Sequence, residues 1–353
     1  MKKWISFILI LAVCLSLLTG CGTNPTQSNQ NADIERIDAA AADTQTPETE
    51  TSGKVRIAAL KGPTAMGMVQ LMSEADAGTL GDSNYQFSIV AAPDEVTPLL
   101  VQGKLDIAAV PANLASVLYN NTGGEIQVVA VNTLGILYIV ESGNLISSVE
   151  DLRGKTIYAS GKGSTPEYAL NYILEENGID PSQDVSIEWK SEHTECLTAL
   201  MSQENGIAML PQPFVTTAQA KSEKIRLALD MTEEWNKLQE ESEEPSALIT
   251  GVVVVRKAFA EENPDAVSAF LTHYEQSVQY VNQNVDAAAE LVGTYDIVPA
   301  EVAKKAIPYC NITFIEGDEM KNKLSGYLNV LFQQNEKSIG GAVPGDDFYY
   351  SRR

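Results

Sequence analysis

The stretch Val55-Arg56-Ile57-Ala58-Ala59-Leu60-Lys61-Gly62-Pro63-Thr64-Ala65 decides the fold. Its largely apolar first half reads as a buried strand, and Gly62-Pro63 punctuates it. Beyond the turn, Ala65, Met68, Val69 and Met72 recur at helical spacing. The same strand-turn-helix unit returns down the chain. Residues 87–90 read as a strand before a helix through Val96, Leu99 and Leu100. Residues 105–110 form an apolar strand ending at Pro111-Ala112-Asn113, with 114–119 helical and 126–131 again a strand. After a strand at 136–140 the theme restarts, with a strand at 156–159, the loop Ser160-Gly161-Lys162-Gly163 and a helix over 164–176. Residues 185–189 and 207–210 are strands flanking a helix over 194–201. Short apolar strands alternating with helices predict an α/β architecture with parallel sheets covered on both faces.

Further along, residues 233–245 are Glu-rich and read as a solvated loop or exposed helix. Gly251 to Val255 contains four consecutive valines, a buried strand. Asn263-Pro264 then starts a helix whose apolar stripe is Val267, Phe270, Leu271, Tyr274, Val278 and Val281. Val302 and Ile307 mark one later helical segment, and Leu324, Leu328 and Leu331 another, before the turn-rich end at 340–353.

Size and charge narrow the function. At 353 residues the chain is too long for one compact core and comfortable for two lobes. It holds 24 Lys and Arg against 47 Asp and Glu, a formal charge of −23. That balance argues against nucleic acid, whose binding rests on phosphate neutralisation, and against a polybasic membrane patch. Two histidines and no Cys-x-x-Cys spacing argue against a metal site, and no cofactor motif stands out.

The N-terminus has a three-part form: Lys2 and Lys3, an apolar run over 4–18, then Leu18-Thr19-Gly20-Cys21. This is the pattern of a secretory signal, with an apolar core too short for a stable membrane span. The closing residues resemble the lipobox of bacterial lipoproteins. The resemblance implies that residues 1–20 are a signal peptide and that Cys21 is lipidated as the new N-terminus, anchoring an extracytoplasmic protein to the cell membrane. The plainer alternative is an ordinary signal peptide with an incidental cysteine. Residues 21–53 carry almost no large apolar side chains and read as a disordered tether.

From residue 54 to about 336 the order of segments resembles the substrate-binding proteins of ABC importers. The branch is that of the sulfonate, taurine and nitrate binders and the thiamine-pyrimidine-precursor binders. The likeness rests on Lys61-Gly62-Pro63-Thr64-Ala65, on Leu105-Asp106-Ile107-Ala108 after Gln102-Gly103, and on Val149-Glu150-Asp151-Leu152-Arg153-Gly154-Lys155. Gly161-Lys162-Gly163-Ser164 and Pro211-Gln212-Pro213-Phe214 complete the set. The resemblance implies a two-lobe periplasmic-binding-protein-like fold of type II, with the ligand cleft between lobes. Lobe 1 would be residues 54–135 plus 251–353 and lobe 2 residues 136–250, with crossings near Gly135 and Gly251. Cys196 and Cys310 then fall in different lobes. A disulfide is chemically open in an oxidising compartment, but two unpaired buried thiols is the reading that fits.

In open α/β sheets a ligand sits beyond the carboxyl ends of the strands, where helix starts point into a crevice. The expected ligand-binding residues are therefore Thr64, Ala65, Met66 and Asn113 on one side and Ser164 and Thr165 on the other. Thr133 near the crossing, His193 before its helix and Gln212 are further candidates. Ser164 with Glu167 fits a capping box, and Thr165 before Pro166 fits a cap with proline at the first helical position. Plain capping explains the same hydroxyls, and Lys61 is equally a solvated loop lysine. The run Gly161-Lys162-Gly163-Ser164-Thr165 superficially suggests a phosphate loop but lacks the upstream glycine spacing. No Gly-x-Ser-x-Gly elbow, His-Glu-x-x-His or credible Cys-His pair is present, so no catalytic residue is assigned. The expectation is a monomeric, non-enzymatic binding lipoprotein that delivers a small sulfonate, nitrate or pyrimidine-like solute to an ABC permease and its ATPase. A sensing lipoprotein uncoupled from transport, or an enzyme related to the pyrimidine synthases that share the fold, are the alternatives.

Overall fold

The computed structural model describes residues 53–240 and 246–352. The expected signal peptide, Cys21 and nearly all of the expected tether lie outside the described residues, as do residues 241–245 of the Glu-rich run. The first half opens with β1 (Val55–Leu60), α1 (Pro63–Met66), α2 (Val69–Asp76), β2 (Tyr85–Val90), α3 (Pro93–Val101), β3 (Ile107–Pro111), α4 (Ala112–Thr122) and β4 (Ile126–Leu134). It continues with β5 (Leu137–Glu141), β6 (Thr156–Ser160), α5 (Thr165–Glu176), β7 (Ser186–Lys190), α6 (His193–Ser202) and β8 (Ile207–Pro211). Next come α7 (Phe214–Lys221), β9 (Arg226–Asp230) and α8 (Met231–Gln239). The return strand β10 (Ile249–Arg256) leads into α9 (Lys257–Glu262), α10 (Pro264–Gln283), α11 (Val285–Thr294), α12 (Ala300–Ala306), β11 (Ile312–Ile315) and α13 (Gly317–Gln334).

These strands form two sheets. The first has the order β11-β4-β10-β3-β1-β2 and the second β7-β6-β8-β5-β9. Pairs β1–β2, β1–β3, β6–β7 and β6–β8 are parallel, as strand-helix alternation predicts. The sheets are nonetheless mixed, a departure from the all-parallel expectation. β10 runs antiparallel to both β3 and β4, β11 antiparallel to β4, and β5 antiparallel to both β8 and β9. β10 enters the first sheet after the chain has visited the second, and it slots between β3 and β4 in the opposite direction. A run buried on both faces looks the same in sequence whichever way it points.

Two local features shape the crossing between sheets. Gly135 stands between β4 and β5, where a Cβ would lie 2.2 Å from Thr232 Oγ1 and 2.7 Å from Leu248 Cδ2. Only a residue without a side chain lets the outgoing chain pass the returning one this closely. Asn311, in left-handed backbone at φ 44°, donates its side-chain amide to the Gly135 carbonyl at 2.6 Å. At the far end of the first sheet, Asp106 is 2 % exposed and accepts from Arg56 Nη2 at 2.6 Å, Arg56 Nε at 2.8 Å and Arg256 Nη2 at 3.0 Å. That carboxylate ties β1, β3 and β10 together.

The Met-rich helix is broken at Gly67, which ends α1 where a Cβ would meet Ile312 Cγ2 at 3.0 Å and the Tyr274 hydroxyl oxygen at 3.2 Å. Within the Glu-rich run, α8 is not merely solvated: it buries Trp235 completely, against Tyr172 of α5 and Tyr327 of α13. Cys196 and Cys310 are buried free thiols, and burial pushes the Cys310 thiol up to about 12. Among the described residues no helix is long and apolar enough to cross a membrane.

Candidate ligand-binding cleft

A cavity of about 560 Å³ lies between the two sheets and draws its walls from both. The first sheet contributes the turn Lys61-Gly62-Pro63 after β1 and Thr250 on β10, with Val298 ahead of α12. The second contributes Ile136 and Leu137 at the crossing, Thr165 and Pro166 at the start of α5, and His193 at the start of α6. Pro211, Gln212, Pro213, Phe214 and Thr217 from the β8–α7 turn complete it. The volume lies within the range of small-molecule sites, roughly 300–1,000 Å³. The walls are mainly apolar with a few polar groups among them, as in such sites generally.

Three of the residues singled out in the sequence meet here: Thr165, His193 and Gln212. The Thr165 hydroxyl accepts from the Tyr327 hydroxyl at 3.2 Å, which links α5 to α13 behind the cavity. His193 Nδ1 lies 2.6 Å from Ser160 Oγ, and its ring centroid is 5.6 Å from that of Phe214. Burial pushes the His193 pKa down, and the nearby Glu192 carboxylate only partly offsets this, so the neutral imidazole is favoured. Gln212 is 2 % exposed; its Oε1 accepts from Thr216 N at 3.3 Å and Thr216 Oγ1 at 2.9 Å. The Gln212–Pro213 peptide bond is cis.

The other six stand apart from the cavity walls. Thr64 is buried one residue beyond Pro63, and its hydroxyl donates back to the Leu60 carbonyl at 2.7 Å. The cap of α1 is Gly62, at φ 127°, and the helix has only four residues, so Thr64 does not open it. Ala65 and Met66 are fully buried in the core beneath the first sheet. Asn113 donates to the Ser338 carbonyl at 3.3 Å, holding the C-terminal segment. Thr133 is fully buried with its hydroxyl 3.2 Å from Asn132 Oδ1. Ser164 does cap α5 by position, but its hydroxyl donates to the Gly161 carbonyl at 2.6 Å rather than accepting from the helix. Glu167 accepts from the Gly163 amide at 2.6 Å.

Capping chemistry singles out hydroxyls, and it passes over the residues that make most of this wall. Thr217, Thr250 and Val298 carry no motif, and Pro63, Pro166 and Phe214 stand in motifs that do not put them forward as ligand contacts. Position near a strand end or a crossing marks Pro63, Phe214 and Thr250, while Thr217 lies inside α7 and Val298 ahead of α12.

Residues 78–304 match the protein family described as ABC transporter, phosphonate, periplasmic substrate-binding protein. The chain belongs to that family. No curated protein matches it. Several solved structures share the fold of this periplasmic substrate-binding protein. An ABC transporter from Parabacteroides distasonis is 21% identical, with 85% of this chain and 99% of that one covered at a TM-score of 0.69. The periplasmic aliphatic sulphonate binding protein SsuA from Escherichia coli is 15% identical, with 85% and 92% covered at a TM-score of 0.67. The alkanesulfonate-binding protein SsuA from Xanthomonas axonopodis pv. citri, bound to MOPS, is 14% identical, with 83% and 95% covered at 0.57. At these identities the likeness speaks for the fold, the two-lobe α/β architecture of periplasmic binding proteins. Members of the matched family bind small ligands and work with an ABC permease, and this periplasmic substrate-binding protein is the binding component of such an importer.

Proposed function

We propose that the chain is a lipid-anchored, extracytoplasmic and non-enzymatic solute-binding protein. It would hold a small organic or anionic solute, sulfonate, nitrate or pyrimidine-like, between lobes 54–135 plus 251–353 and 136–250, and pass it to an ABC permease and its ATPase. The observation that carries this reading is the cavity lined from both sheets beside the two chain crossings. A ligand that touches both lobes only when they are shut has a differential affinity for the closed state, and this shifts the hinge equilibrium. The protein acts as a monomer in this scheme, its strong negative charge keeping copies apart.

Binding at a hundred times Kd is expected to stabilise the fold by about 2.7 kcal/mol, because the unfolded chain has no site. A thermal-melt screen of small solutes reads this directly, and a panel that moves the melting temperature for none of its members counts against the reading. X-ray scattering with a stabilising solute is expected to show a smaller radius of gyration than without it. An unchanged radius would contradict hinge closure.

The anchor has its own test. Cys21→Ala is expected to release the protein from membrane fractions with its melting temperature unaltered, since the anchor belongs to the tether and not to the core. Retention on membranes as tight as that of the unaltered protein would remove lipidation from the account.

A further inference from the structure

Resting on that reading, the chemistry of the cavity wall narrows the class of solute. Buried sulfonates and phosphonates need charge-assisted donors: guanidinium forks, ammonium groups or free amides at helix starts. Among the described residues the wall contains no arginine, and its one lysine, Lys61, is half-exposed and already 3.2 Å from Asp296. Four helix starts line the cavity, and each is made less favourable to an anion by a proline, a carboxylate or an amide already bonded. Proline removes an amide donor in the first turn of α1 (Pro63) and of α5 (Pro166). The Glu167 carboxylate sits in the first turn of α5, and Glu192 and Glu195 sit at the cap and first turn of α6, where they already complement the helix dipole. At α7 the cap is Pro213, and the Gln212 side-chain oxygen Oε1 takes the Thr216 amide. An anion entering here would lose its hydration and meet only the single half-exposed ammonium of Lys61.

What the wall offers instead is apolar surface and neutral donors. Phe214 and His193 pack against each other, and Leu137, Pro166, Pro211 and Val298 give flat, greasy contact. Gln212 is 2 % exposed and lines the cavity, and its side-chain NH2 has no hydrogen-bond partner among the described residues, so it is a donor left for a ligand. With Ser160 at Nδ1, His193 likewise has its Nε2 free for a ligand.

We propose that the cleft takes an uncharged organic solute with a ring-sized apolar body and a hydrogen-bond acceptor, a carbonyl or ring nitrogen, in preference to a phosphonate or sulfonate. The acceptor meets Gln212 Nε2 and the ring lies against Phe214.

Three probes with one ring and different heads test this by calorimetry on the intact protein: benzamide, benzenesulfonate and phenylphosphonate. Benzamide is expected to bind at least about tenfold more tightly than either anion, a difference of about 1.4 kcal/mol. Gln212→Leu is expected to weaken benzamide about two- to tenfold, the loss of one hydrogen bond. Phe214→Ala, which leaves the Gln212–Thr216 bonds in place, is expected to weaken it as well. Thermal melts of both variants confirm that they fold. An anion that binds as tightly as benzamide, or no binding of benzamide at millimolar concentration, overturns this inference while leaving a solute-binding cleft in place. Benzamide affinity unchanged in both folded variants puts the solute outside the cleft and overturns the underlying reading.

Discussion

Asp106→Ala is expected to destabilise the protein by about 3 kcal/mol in urea titrations, near the low end for breaking a buried ion pair. The carboxylate is buried while its partners Arg56 and Arg256 keep some access to water, 29% and 23% exposed, and this limits the loss. Burial alone would raise the Asp106 pKa, but hydrogen bonds from the Arg56 side chain and backbone, then from Arg256, outweigh it and leave the pKa below the ordinary value. A depressed carboxylate stabilises fully above its unfolded pKa, about 3.9, and loses that contribution as the pH falls through the folded value. The gap between wild type and Asp106→Ala should therefore be constant from neutral pH down to about pH 5 and shrink below about pH 4. The clamp lies at the opposite end of β1, β3 and β10 from the cavity, so solute affinity in the folded variant should be unaltered. A loss under about 1 kcal/mol, or a gap that widens in acid, would contradict this account of the clamp.

Trp235→Ala is expected to cost more, about 3–5 kcal/mol, as for other large buried aromatics. The indole is fully buried, donates from Nε1 to Ser246 Oγ at 3.0 Å, and lies 4.4 Å from the Tyr172 ring and 5.8 Å from the Tyr327 ring. It thus joins α8, α5 and α13 behind the cleft, where the returning chain approaches β10. Truncation leaves a cavity on the path between sheets and removes the indole donor from Ser246 Oγ, which still donates to Gln239 Oε1 at 2.9 Å. Trp235→Phe retains most of the packing and should recover more than half of the loss. Equal losses in the two variants would locate the stabilisation in the Ser246 bond instead of in packing.

How much of this was legible in the sequence depends on what each pattern encodes. Apolar runs and helical stripes located most elements, among them the valine-rich return strand, because burial on both faces leaves an unbroken hydrophobic signature. Strand direction left no such mark, which is why β10 and β5 turn parallel expectations into mixed sheets. Arg226–Asp230 escaped notice because β9 is short and mostly half-buried, and Phe214–Lys221 because its Thr and Gln residues blur the apolar stripe of α7. In the cleft, attention to strand-end turns led to Thr165, His193 and Gln212. The same logic put Thr64 and Ser164 forward, yet their hydroxyls fold back onto the Leu60 and Gly161 carbonyls. Which way a hydroxyl turns is a matter of backbone geometry over four or five residues. The apolar wall around Phe214 and Val298 could be assembled only once both sheets were in place.

The central claim is that a small solute sits between the two sheets. The measurement that tests it most directly is a crystal structure with the solute that raises the melting temperature most. Density is predicted inside the cavity, within hydrogen-bond distance of Gln212 Nε2 and in contact with Phe214 and Thr250. Density confined to another surface, such as the open groove along α6 lined by Lys190, Thr194 and Glu195, would contradict it.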